Sequence, residues 1–97
     1  MAVAFLIELA DFTPEQSAAV LRELGLDTNP AAGQLFHLEG PMEGGGMRIV
    51  DVWESPEAFQ AFAQERLGPA FERAGAALPA DMQPTAVWPV TGMFMAK

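Results

Sequence analysis

Two segments of this 97-residue chain are apolar on both of their sides. Val3–Leu9 carries Phe5, Ile7 and Leu9 on one parity and Ala4 and Leu6 on the other, and Met47–Trp53 sets Ile49 and Trp53 against Val50 and Val52. A β-strand projects alternate side chains to opposite faces of its sheet, so strands like these need cover on both. A chain of 97 residues forms one domain, residues 1–97, with room for about two layers of structure. One layer of helices covers one face of a sheet, and the other face then needs cover from outside the chain.

Pro and Gly punctuation divides the rest. Thr13-Pro14-Glu15-Gln16 is a helix start, with the Thr hydroxyl placed to accept the N3 amide, Pro at N1 and Gln16 able to reach back to the cap. Ser17, Val20, Leu21 and Leu24 recur at i, i+3, i+4 and i+7, and Gly25 supplies a left-handed stop. Residues 34–39 read as the second strand, and the Gly-rich stretch 43–46 as a hairpin loop leading into Met47–Trp53. Ser55-Pro56 opens a second helix with Phe59, Phe62, Ala63 and Leu67 on its buried stripe; Gly68-Pro69 breaks or kinks it before a short piece ending at Gly75. Residues 83–90 form a fourth strand, whose Pro84 and Pro89 confine it to a sheet edge.

The order β-α-β-β-α-β predicts an α+β, ferredoxin-like fold: a four-stranded antiparallel sheet in the order 4-1-3-2, with two helices on one face. Burial of the second face predicts a homodimer in which two sheets face each other across an enclosed space.

Composition narrows the function. Five Lys+Arg against thirteen Asp+Glu leave a net charge of −8, which disfavours nucleic acid and anionic membranes as partners. The absence of cysteine removes thiolate chemistry and disulfides and suits a cytoplasmic protein. Residues 2–10 are too short for a membrane span and are interrupted by Glu8. One histidine and scattered carboxylates predict no metal site, and Ser17 and Ser55 are accounted for by a helix stripe and a helix cap.

The run Asp-Val-Trp-Glu-Ser-Pro-Glu-Ala-Phe, with Trp53-Glu54-Ser55 followed by Glu57-Ala58-Phe59, resembles the dimeric α/β-barrel superfamily, in particular its small antibiotic-biosynthesis-monooxygenase-like proteins. The resemblance covers nearly the whole chain and implies the fold and the dimer. The superfamily's chemistry includes cofactor-free oxygenation, polyketide cyclisation, isomerisation and haem degradation, and fold alone does not choose among these. The haem-degrading branch implies a histidine near the end of the second helix, where this chain reads Phe71-Glu72-Arg73, so no cofactor is expected.

The lone histidine interrupts the apolar run Leu35-Phe36-His37-Leu38. If residues 42–46 form the loop and Pro41 pairs with Met47, His37 lies opposite Asp51. A carboxylate beside an imidazole orients it and stabilises the imidazolium, as a general base requires. Phe36, Leu38, Val50 and Val52, being wholly apolar, are expected to meet the helices, which points His37 and Asp51 into the inter-sheet cavity. Glu8, the one charge in the first strand, is a further catalytic candidate for that cavity. Trp53 and Trp88 are expected to stack on a flat ligand, with Leu6, Leu35 and Ile49 in the lining. Arg48 and Glu39 are placed at the rim.

These residues predict a homodimer that binds a small, planar, hydrophobic organic molecule and performs His37-assisted proton transfer as a cyclase, isomerase or cofactor-free monooxygenase. The alternative is a non-catalytic ligand-binding or assembly module in which the polar pair is structural.

Overall fold

The computed structural model describes residues 1–77 and 83–96. Its elements are β1 (Val3–Leu9), α1 (Pro14–Leu24), β2 (Gln34–Pro41), β3 (Met47–Trp53), α2 (Pro56–Phe62), a π turn (Ala63–Leu67), α3 (Gly68–Ala74) and β4 (Ala86–Pro89). The four strands form one antiparallel sheet in the order β2-β3-β1-β4, so the expected topology holds and β4 lies at an edge. The strand expected over residues 83–90 shrinks to Ala86–Pro89, flanked by single bonds from Thr85 N–H to the Leu6 carbonyl and from Val90 N–H to the Ala2 carbonyl.

Local chemistry sets the helix ends. Thr13 accepts from the Gln16 amide at 3.1 Å while the Gln16 side chain accepts from the Thr13 amide at 2.9 Å, a reciprocal cap that satisfies two otherwise unpaired donors. Gly25 ends α1 at φ 59°, a conformation that costs glycine little. Ser55 caps α2 through the Ala58 amide at 3.1 Å.

The second helical run does not break at Gly68-Pro69. Pro69 has no amide to offer the preceding turn, and the chain widens there: Gly68 N–H bonds to the Ala63 carbonyl five residues back. That extra residue rotates the helix so that Phe62, Leu67 and Phe71 share the core side while Arg66 turns outward to the carbonyls of Leu24 and Asn29, at 2.8 and 2.7 Å.

The odd-numbered residues of β1 and β3 face the helices. Val3, Phe5, Ile7, Leu9, Met47 and Trp53 pack with Phe12, Val20, Leu24, Phe62 and Phe71 in one core. Phe5 stacks on Phe59 with centroids 4.7 Å apart, Phe12 on Phe71 at 5.3 Å, and Trp53 meets Phe62 at 5.0 Å.

This arrangement reverses the face assignment made from sequence. Phe36, Leu38, Val50 and Val52 pair with one another across β2 and β3 on the side away from the helices, together with Ala4, Leu6, Ala86 and Trp88. Leu38 and Trp88 remain 49% and 43% exposed while Ala4 and Val52 on the same side are buried, so this outer face is apolar and partly exposed in the single chain. Apolar character alone does not assign a face where both parities are apolar. The larger Phe5, Ile7, Leu9 and Trp53 win the helix side because they fill more of the space between the layers.

Candidate functional site

The predicted hairpin register is present: Pro41 pairs with Met47 and His37 with Asp51. Beyond Phe36 the register slips by one, and Leu35 is the extra residue of that irregularity. His37 and Asp51 share the helix-facing side, so they point between the sheet and the helices and not towards a second sheet, which corrects the expected location. Their side chains meet directly, with His37 Nδ1 2.5 Å from Asp51 Oδ1.

Two further residues, Glu39 and Ser17, complete the arrangement. Glu39 lies two residues along β2, on the same side as His37, and its Oε1 accepts from His37 Nε2 at 2.8 Å. The Ser17 hydroxyl, projected from the buried stripe of α1, donates to Glu39 Oε2. A continuous chain Ser17–Glu39–His37–Asp51 therefore crosses from α1 through the edge strand β2 to β3. Glu39 is not a rim residue. Its signal in the sequence was its parity with His37, and that of Ser17 was a hydroxyl in an otherwise aliphatic stripe, a polar group that needs a partner once buried.

The chain of polar groups is graded in exposure. The side chains of His37 and Glu39 keep 26% and 17% of their surface at the sheet edge, whereas that of Asp51 keeps 7%. With a carboxylate on each ring nitrogen, the imidazole is held in its charged form, and its pKa is pushed up to about 9. The hydrogen bond to Asp51 is the largest cause; burial opposes it, and the charge of Asp51 and the bond and charge of Glu39 add to the rise. At neutral pH His37 is therefore an imidazolium with both N–H groups donating.

This polar wall borders a cavity of about 50 Å³ between the sheet and the helices. Its other walls are aliphatic and aromatic, among them Ile7, Leu24, Ile49, Phe12, Phe59 and Phe71. A larger groove of about 430 Å³ runs between residues 29–33 and α2, but it is an open depression, and the Arg66 there is already bonded to main-chain carbonyls. Convergent polar groups against an apolar lining mark the smaller cavity as the site. Among the described residues, no group of three or more His, Cys, Asp or Glu side chains is arranged to hold a metal ion.

The other sequence candidates divide between the two faces. Ile49 lines the cavity. Trp53 is fully buried against Phe59 and Phe62, in the core and not on the cavity wall, and its indole N–H has no partner among the described residues. Leu6 and Trp88 lie on the outer face, and Leu35 is 43% exposed at the irregularity in β2. Glu8 is also on the outer face, where Arg48 donates to its Oε2 from Nε at 3.0 Å and from Nη2 at 2.9 Å. It takes no part in the His37 cluster, because its even parity in β1 carries it to the opposite side of the sheet from Asp51.

No family model and no curated protein matches the chain. Solved structures do. The fold is that of a protein from Chloroflexus aurantiacus J-10-fl described as an antibiotic biosynthesis monooxygenase: TM-score 0.63 at 17% identity, covering 99% of this chain and 100% of that one. SnoaB, a cofactor-independent oxygenase from Streptomyces nogalater, superposes through its N63A mutant with a TM-score of 0.59 at 15% identity, over 95% of each chain. NE2512 from Nitrosomonas europaea, of unknown function, gives 0.61 at 16% identity, over 99% of this chain and 95% of that one. The resemblance to antibiotic-biosynthesis-monooxygenase-like proteins thus extends over the whole fold, and at these identities it is a likeness of fold. No helix among the described residues is long and apolar enough to cross a membrane.

Proposed function

We propose that this chain acts as a homodimer that binds a small hydrophobic organic molecule between its sheet and helices and exchanges a proton with it through the Ser17–Glu39–His37–Asp51 chain. The observation that carries this reading is the placement of that chain on the wall of an otherwise apolar cavity. The partly exposed apolar face of the sheet, with Leu38 and Trp88 open to solvent, supports the dimer, since exposed apolar surface marks an interface. That one of the fold neighbours is a cofactor-independent oxygenase supports a reading in which no cofactor takes part.

His37 is not the base in this scheme. It already holds its proton at pH 7, between two carboxylates, and the cluster as a whole carries one negative charge. A carboxylate of the cluster takes the proton from the substrate's acidic carbon while the imidazolium gives its proton to the oxyanion that develops, and these are coupled steps of one unit. Cyclisation, isomerisation and oxygenation of a deprotonated substrate all begin with such a transfer. Size restricts the ligand. At roughly 10–15 Å³ for each water-sized occupant, a cavity of about 50 Å³ holds a fragment of a few heavy atoms, far below the roughly 300–1,000 Å³ of drug-sized sites. A fragment of about three to five heavy atoms fits this reading, and a six-membered ring or a fused polyketide requires α1 and the second helical run to separate.

Proton transfer is tested independently of the overall reaction by following deuterium wash-in at the acidic carbon of acetone and butanone in heavy water by NMR. The wild-type protein is expected to accelerate exchange, with His37→Gln and Asp51→Asn losing most of the effect while remaining dimers in sedimentation. Equal exchange in all three proteins would leave the alternative: a non-catalytic module in which the cluster only ties α1, β2 and β3 together. The engagement of both His37 ring nitrogens is the observation that favours it.

A further inference from the structure

We infer that the cavity selects a small organic cation, an apolar amine in its protonated form, and that Glu39 is the residue that sets this preference. The inference rests on the reading of the cavity as a ligand site and names the class of ligand it takes. Among the described residues, two carboxylates, Glu39 and Asp51, and one imidazole are its titratable lining groups, and no lysine or arginine of those residues borders it. With His37 charged the wall carries one net negative charge, and with His37 neutral it carries two. It offers no positive excess in either state, so an ionised carboxylate or phenolate entering this weakly polar space meets repulsion, whereas a monocation neutralises the wall.

The rest of the lining suits the same guest. Phe12, Phe59, Phe62 and Phe71 border the space, and aromatic faces attract ammonium groups. Glu39 accepts from His37 and from Ser17, one bond on each oxygen, and each carboxylate oxygen retains a further lone pair for an ammonium N–H. Glu39 is also the more exposed of the two carboxylates, at 17% against 7% for Asp51. The chain's net charge of −8 favours the approach of cations as well.

Three probes of one shape and different charge decide the matter: isobutylamine, isobutanol and isobutyrate at pH 7. Binding is read from the ring proton resonance of the single histidine and from thermal shift. Isobutylamine is expected to bind about tenfold or more tightly than isobutanol, with isobutyrate undetectable over the same range. Glu39→Gln is expected to reduce the amine's advantage to about threefold or less, whereas Glu72→Gln on the exposed side of α3 leaves it intact. Equal binding of amine and alcohol, or a preference for the carboxylate, overturns the charge assignment while the ligand site stands. If none of the three moves either signal in the wild-type protein, the cation preference and the ligand-site reading fall together. The wild-type comparison decides even if Glu39→Gln does not fold.

Discussion

Raising the pH from 6 to 10 isolates the His37 cluster with unusual clarity, because the chain has no cysteine and no tyrosine and only one histidine. The folded-state pKa of His37 is raised from 6.5 to about 9, so the folded chain binds the proton more tightly than the unfolded one. Its contribution to stability is complete below pH 6.5 and disappears as the pH rises through 9. At 1.36 kcal/mol for each pKa unit, the interval corresponds to about 3 kcal/mol, and for a domain this size to a fall in melting temperature of roughly 15 °C.

The assay is urea unfolding at half-unit steps of pH and fixed protomer concentration, alongside an NMR titration of the lone histidine. Stability is expected to decline with a slope approaching 1.4 kcal/mol per pH unit between about 7 and 8.5. His37→Gln is expected to show no such slope, and its curve to draw closer to the wild-type curve near pH 10. A wild-type profile that stays flat from 7 to 9, with the histidine titrating near 6.5, would refute the carboxylate-clamped imidazolium and with it the proton-holding role of the cluster.

Other consequences of the packing are open to measurement. Gly46 has φ 89°, and a Cβ there would sit 2.7 Å from the Leu9 carbonyl oxygen, whereas one at Gly40 meets nothing within 4 Å; Gly46→Ala is expected to cost about 2 kcal/mol or more and Gly40→Ala well under 1 in urea unfolding. Trp53→Ala is expected to cost about 4 kcal/mol, but Trp53→Phe, which keeps most of the ring and removes an unpartnered N–H, about 1; comparable losses would mean that the indole has a partner. On the outer face, Leu38→Lys is expected to convert a dimer into monomers in sedimentation velocity at micromolar protein, and a wild-type monomer under those conditions would sink the dimer proposal.

Much of this molecule was decided by short-range chemistry and could be read along the chain. Thr13-Pro14 and Ser55-Pro56 start helices because the cap oxygen and the fixed φ of proline act within four residues, and Gly25 stops one for an equally local reason. The five-residue hairpin loop sets the pairing of Pro41 with Met47, and simple counting then brings His37 opposite Asp51. The side of the sheet on which that pair lies was not available from counting. Both parities of β1 and β3 are apolar, so the choice depends on which set of side chains fills the space beneath α1 and the second helical run, a sum over four elements distant in sequence. The same long-range packing brings Ser17 from α1 to Glu39, and turns Leu67 inward and Arg66 outward through the π turn. Hydrogen-bond register is a property of neighbouring strands, but the face that becomes an interior, and the charge that interior carries, exist only once the layers close.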